Sequence, residues 1–228
     1  SLPSAASILS GTHPFYHQVG GENDALPTSI QTVGERLQKV GYNTIGVSAN
    51  PWFTAETGLD RGFETFDWLQ KRTVYKSGVS RLIKFLLQLN QHSGGYTSNT
   101  KKIRSEYLTA GLIKKRLREA SADSRPFFLY SHTEGVHSPF YPPKSWLGEF
   151  NNSSVDDQLA LRELTVEKSF YKEMAEGPWT SEQVRIAYNL MYDTLMKYID
   201  SILEEIVKSI ETLNLENTIL VVTSDHGE

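Results

Sequence analysis

Apolar residues recur every three or four positions at Tyr188, Met191, Leu195, Ile199, Ile202, Ile206 and Ile210. That period predicts one long amphipathic helix. Thr180 and Gln183 supply a capping box ahead of it, and Asp193 and Asp200, seven positions apart, share one face. Shorter runs of the same period predict three more helices. One carries Ile30, Val33, Leu37 and Val40, opened by Thr28 and Gln31 and stopped by Gly41; a second carries Val79, Leu82, Ile83, Leu86 and Leu89; a third carries Ile103, Tyr107, Leu112 and Leu117. The opening stretch Ser1–Gly11 has Pro3 in its first turn, Ile8 and Leu9 inside it and Gly11 after it, which predicts a short buried helix.

Three other runs have the composition of strands: Thr44–Ser48, Phe127–His132 and Ile219–Thr223. The last is dominated by β-branched residues, as in a strand buried on both faces of a parallel sheet. Helix leads into strand at Gly41 and again at Leu213-Asn214, which predicts an α/β fold with a mostly parallel central sheet. Between these elements, 12–27 reads as a loop with His13 and His17 in solvent. Residues 52–68 read as an irregular, aromatic-rich segment packed on a sheet edge. Residues 92–100 read as a polar loop, and 151–180 as a lid or insertion. Asn152-Ser153-Ser154 also fits a glycosylation acceptor pattern.

Composition narrows the class. The 228 residues are enough for one large domain, and 39% hydrophobic with 22% charged residues is ordinary for a globular protein. A net charge of −4 argues against a general nucleic-acid binder, and the basic positions between Lys101 and Arg118 read as a solvated helix face. There is no cysteine, which excludes disulfides and thiolate metal sites. No apolar run reaches transmembrane length, and the N-terminus does not read as a signal peptide. The chain starts at Ser1 without Met and stops at Glu228 just after an expected strand. The expectation is therefore a single domain over 1–228 cut from a longer protein at both ends, with its compartment left open.

Polar residues follow two expected strands directly. Asp225, His226 and Gly227 come after Ile219–Thr223, and His137 lies in the loop after Phe127–His132. Ligands in open α/β sheets bind beyond the carboxyl ends of strands. A carboxylate and an imidazole there can converge on one metal ion, although Asp-His-Gly alone reads more readily as a polar turn. A helix starting after Ser1 turns its free amides toward whatever precedes it, a favourable place for an anion.

Four segments together give the chain a family likeness. They are Ser1-Leu2-Pro3-Ser4-Ala5 closing with Ser10-Gly11; Gly58-Leu59-Asp60-Arg61-Gly62-Phe63; Pro126-Phe127-Phe128-Leu129 with His137-Ser138-Pro139 and Tyr141-Pro142-Pro143; and Tyr192-Asp193, Asp200 and Ser224-Asp225-His226-Gly227-Glu228. In this order they resemble the sulfatase family of the alkaline-phosphatase superfamily, over nearly the whole chain except 70–120 and 150–180. The resemblance implies a three-layer α/β/α fold and hydrolysis of a small-molecule or glycan sulfate ester. It implies that Ser1 is the nucleophile, oxidised to formylglycine. It makes Ser1, Asp225 and His226 ligands of a divalent metal, calcium first and magnesium or manganese in relatives. It makes His137 a contact for a sulfate oxygen or the leaving group, and His17 a substrate-side neighbour of the nucleophile. The family's signature has Arg where this chain has Ala5, which weighs against formylglycine maturation. The family's acidic metal ligands upstream of the signature have no counterpart here, so this piece by itself is expected to be inactive. Two alternatives stand beside this reading. One is a phosphodiesterase, phosphonate monoester hydrolase or phosphoglycerol-type transferase using an unmodified Ser1. The other is a non-catalytic pseudosulfatase that binds a sulfated ligand.

Overall fold

A computed structural model describes residues 1–21, 23–69, 106–150, 154, 157, 158, 161, 162 and 181–227. Its elements are α1 (Leu2–Ser10), α2 (Pro14–His17), α3 (Val33–Lys39), β1 (Asn43–Ser48), β2 (Thr65–Trp68), α4 (Glu106–Ser121), β3 (Phe127–His132) and α5 (Ser181–Thr212), with a 3₁₀ turn at Lys144–Trp146. The expected helix over Val79–Leu89, the loop at 92–100, the Thr180 cap and most of 151–180 lie outside the described residues.

The three strands form one parallel sheet in the order β2-β1-β3. β1 is central and is buried along nearly its whole length, consistent with its run of Thr, Ile and Val. Its register sets Ser48 beside Trp68 on one side and beside His132 on the other, so all three strands end at the same level. β1 and β3 fall where the residue pattern puts them. β2 does not: within the expected irregular segment 52–68, Thr65–Trp68 pairs with β1. Gly46 makes room for this pairing, since a Cβ there would meet the Phe66 ring at 2.3 Å.

The expected strand Ile219–Thr223 is a correction. It joins no strand among the described residues, and Ile219, Leu220, Val221 and Val222 are all exposed. β-branched composition makes a segment suitable for a ladder, but only a neighbouring strand supplies the hydrogen bonds. A second correction concerns the start of α3. The observed capping box is Thr32 with Glu35, four residues after the expected Thr28 and Gln31. The Glu35 backbone N–H donates to Thr32 Oγ1 (3.1 Å), and the Thr32 N–H donates to Glu35 Oε2 (2.8 Å).

The chain divides into two compact units. The first comprises Ser1–Gln70, Leu108–Thr133 and Ile206–Glu228. Its core joins the inner face of α1 (Leu2, Ala5, Ala6, Leu9) to Val19, Leu26, Phe53 and Leu59. Phe53 stacks on Phe66 and Tyr130, which carries the packing onto the sheet. The Gly58–Gly62 turn is a structural clasp. Arg61 donates to the carbonyls of Gly58, Pro27 and Ile30, and Thr32 Oγ1 donates to the Arg61 carbonyl. Arg116 on α4 grips Asp67 on β2 in a bidentate pair at 2.6 and 2.8 Å, a geometry suited to the planar guanidinium.

The second unit comprises Lys71–Tyr107 and Glu134–Glu205. Here α5 buries Val184, Ala187, Leu190, Met191, Leu195, Tyr198 and Ile202, while Asp193 and Asp200 sit on its exposed side, as its period requires. Phe140 meets Tyr188 and Tyr192 edge to face.

Candidate active site

Helix α1 begins where the chain's last described loop returns. Ser1 is the N-cap of α1, and its Oγ lies 3.0 Å from His226 Nε2, a contact between residues 225 apart in sequence. The His226 Nδ1 atom lies 2.6 Å from the Gly227 carbonyl, which can only accept, so Nδ1 carries the ring hydrogen. Nε2 therefore presents a lone pair, and the Ser1 hydroxyl donates to it. Asp225 reaches the same place: its Oδ2 lies 3.5 Å from His226 Nε2. That oxygen is buried and has no hydrogen-bond partner among the described residues. Pro3 in the first turn of α1 has no N–H to satisfy, whereas the Leu2 and Ser4 amides have no acceptor within the helix. The positive end of the helix thus opens at Ser1.

His132 completes this cluster and is the member the residue pattern did not single out. It is the last residue of β3, its ring is packed on Phe53 at 5.1 Å, and its Nε2 lies 3.7 Å from Asp225 Oδ2. The Tyr130 hydroxyl meets its Nδ1 at 3.0 Å. Burial drives the His132 imidazole below its ordinary pKa against the opposing pull of Asp225, and burial pushes the Tyr130 phenol up. Two signals were available in the sequence: residues i and i+2 of a strand share a face, and a histidine at a strand's carboxyl end is well placed for a site.

The other expected site residues are His17 and His137. His17 is fully buried in α2, a helix where a loop was expected, and not in solvent. The Val19 N–H donates to its Nδ1 at 3.0 Å, so Nε2 carries the hydrogen and donates to Ser7 Oγ at 2.9 Å. Both ring nitrogens are used by the fold, and the partner is Ser7, six residues along α1 from Ser1. The structure does not bring His17 to the nucleophile position. His137, in the second unit, is exposed in the loop after β3, where its Nδ1 donates to the Ser138 carbonyl at 2.6 Å. Ala5 is fully buried within the α1 core.

Burial, reinforced by His13, lowers the His17 pKa from its ordinary 6.5. The unfolded chain then binds more protons than the folded one just below that value, so stability should fall as pH drops through about 6.5 and flatten below the folded pKa. Urea midpoints measured from neutral pH downward check this. His17→Gln, which retains a hydrogen-bonding amide, should make the slope shallower.

Asp225, His226 and Ser1 fit part of a divalent-cation shell. They offer an unpartnered buried carboxylate oxygen, an imidazole lone pair and a hydroxyl oxygen. Among the described residues, no group of three or more His, Asp and Glu side chains forms a metal site. A hard cation takes six or more oxygens, so these donors are a contribution to such a shell rather than the whole of it.

Comparison with known proteins places the chain. The curated N-acetylglucosamine-6-sulfatase of Capra hircus is 25% identical over 243 residues, covering 99% of this chain and 42% of that protein. The Homo sapiens N-acetylglucosamine-6-sulfatase is 25% identical, with 99% and 43% covered. Arylsulfatase K of Xenopus laevis is 23% identical, with 99% and 44% covered. The chain thus spans about two fifths of the length of these relatives. Among solved structures, the phosphonate monoester hydrolase of Agrobacterium radiobacter aligns with a TM-score of 0.64 at 16% identity, over 92% of this chain and 50% of that one. The phosphonate monoester hydrolase SpPMH of Silicibacter pomeroyi aligns at 0.58 and 14%, over 93% and 50%. These likenesses show the fold, a three-layer α/β/α arrangement. A family model described as Sulfatase matches residues 1–228, and the chain belongs to the sulfatase family.

Proposed function

We propose that the full protein is a metal-dependent sulfuric ester hydrolase and that Ser1, Asp225 and His226 belong to its catalytic centre. One observation carries this reading: the Ser1 hydroxyl at the open end of α1 is held 3.0 Å from His226 Nε2, next to the unpartnered Asp225 oxygen. Members of the family generally use a divalent metal. Asp225 Oδ2, His226 Nε2 and Ser1 Oγ are the atoms that would hold it, with calcium the first ion to test. When bound, such a cation neutralises the charge of a sulfate group that would otherwise repel a nucleophile. The residues of this chain do the rest. The unsatisfied amides at the start of α1 receive sulfate oxygens. The Ser1 position supplies the attacking oxygen, either as its hydroxyl or, after oxidation to formylglycine, as the hydrated aldehyde. The family resemblance makes His137 the residue to test as a contact for a sulfate oxygen or the leaving group. A sulfated sugar is the substrate class to try first, since two of the relatives are named N-acetylglucosamine-6-sulfatase.

One observation favours a second reading. The Ser1 O–H meets the His226 Nε2 lone pair, which is the arrangement of a serine activated by a histidine base. An unmodified serine of that kind suits a phosphate or phosphonate ester. Peptide mass mapping of the full-length protein separates the two. Loss of two hydrogens at Ser1 supports the sulfatase reading, with formylglycine formed despite Ala5. An intact Ser1 with turnover of a phosphonate or phosphate ester supports the second. Binding of a sulfated ligand without hydrolysis at any calcium concentration contradicts both.

A further inference from the structure

The Tyr130–His132 pair lies directly against Asp225, and neither residue has a part in the chemistry set out above. Asp225 Oδ2 is an acceptor, buried and without a hydrogen-bond partner among the described residues. His132 Nε2 lies 3.7 Å from it. His226 Nε2 already presents a lone pair 3.5 Å from this oxygen, and a bare His132 Nε2 would add a second, with no donor to compensate either. The Tyr130 hydroxyl, 3.0 Å from Nδ1, can serve as donor or acceptor there, so the choice falls to the Asp225 side of the ring. With the hydrogen on Nε2, facing Asp225, Nδ1 is left as the acceptor and the Tyr130 phenol donates to it.

From this geometry we infer that His132 is a positioning residue. Its Nε2–H steers the Asp225 carboxylate that contributes to the cation shell, and Tyr130, by donating to Nδ1, supports the tautomer that makes this possible. The inference rests on Asp225 being a metal ligand, as proposed above. It also says what His132 is not: an Nε2 that carries hydrogen has no lone pair for a cation, so His132 stands outside the metal's own ligands. Such partners behind a ligand fix its orientation, and losing one typically costs about 10–100-fold in metal affinity. Tyr130, His132 and the Phe53 ring beneath them are set by the regular sheet and its packing, so the donor is held on a rigid element.

The test uses the full-length protein, calcium chloride as the probe, and two readouts that do not depend on turnover. The first is the ¹⁵N NMR signature of the His132 ring without metal. Nε2 should be protonated with Nδ1 as acceptor, and it should stay protonated when calcium is added. A ring with Nδ1 protonated, or an Nε2 that loses its hydrogen to the ion, overturns the inference. The second is calcium affinity by calorimetry. His132→Leu should weaken it about tenfold or more, whereas His132→Gln, whose amide nitrogen reaches the place of Nε2, should stay within about threefold of the parent. Tyr130→Phe keeps the ring and the fold and should mix the two tautomers in the NMR spectrum. Equal calcium affinity in the parent and in His132→Leu overturns the positioning role. Failure of the underlying reading looks different: Asp225→Asn would then bind calcium as the parent does, or the parent would not bind it at all.

Discussion

Asp225→Asn in the full-length protein is expected to lower kcat for sulfate-ester hydrolysis by about a thousandfold, the order seen when one preorganised electrostatic element is removed from an active site. Asp225 Oδ2 is buried, accepts no hydrogen bond among the described residues, and lies 3.5 Å from His226 Nε2. A carboxylate kept in that condition is costly unless a positive charge compensates it. The asparagine variant keeps the size and removes the charge. It should lose divalent-cation affinity together with turnover, and its thermal stability without metal should match or exceed the parent's. Calorimetry with calcium and a denaturation scan on the same sample check all three. Unchanged calcium affinity in Asp225→Asn would remove Asp225 from the proposed shell.

The largest effect on stability is expected at Gly62. Its φ is +83°, and a Cβ built there would lie 2.0 Å from the Glu35 backbone nitrogen and 2.4 Å from the Gly34 carbonyl carbon. The obstacle is backbone at the first turn of α3, which cannot rotate aside as a side chain can. A left-handed φ and a backbone overlap act together at this position. Gly62→Ala should therefore destabilise the protein by about 3–5 kcal/mol, enough to leave many domains largely unfolded. The control is Gly111, in α4, where a Cβ would meet nothing within 4 Å. Gly111→Ala should stabilise by about 0.5–1 kcal/mol through helix propensity and a less flexible unfolded chain. Urea unfolding of both variants tests the pair, and equal midpoints for the two would refute the account of this clasp. The Gly58–Gly62 segment, part of the family likeness, is explained here by architecture: Arg61 and Gly62 lock the entry to α3 against the loop before it.

The two strands β1 and β3 and the helices α1 and α5 were legible because each carries its own period or composition. Their capping and pairing were legible only in part. Thr28 with Gln31 and Thr32 with Glu35 offer the same spacing, and the second was selected by a contact outside the helix, the Thr32 hydroxyl bound to the Arg61 carbonyl. Ile219–Thr223 shows the same limit from the other side, since its residues suit a strand and nothing described pairs with them. Within the candidate site, Asp225 and His226 could be named from their position after an apolar run. That they meet Ser1 could come only from the family resemblance, because no local pattern joins residues 225 apart. His17 misled for a related reason. A histidine between a proline and a pair of glycines reads as solvated, yet its two nitrogens close hydrogen bonds to Ser7 and Val19 inside the first unit. His132 was hidden within a strand whose apolar character drew attention away from its last residue.

Ser1 is proposed to supply the attacking oxygen of a cation-dependent ester hydrolysis. The most direct test measures sulfate release from N-acetylglucosamine 6-sulfate and an aryl sulfate, comparing the full-length protein with its Ser1→Ala variant. Both proteins would be assayed as purified, after chelation with EDTA, and after calcium is restored. The parent should hydrolyse at least one of the two esters, lose that activity to EDTA and regain it with calcium, while Ser1→Ala should stay at background throughout. Sulfate release by Ser1→Ala at the parent's rate, or parent activity indifferent to EDTA, would contradict the claim.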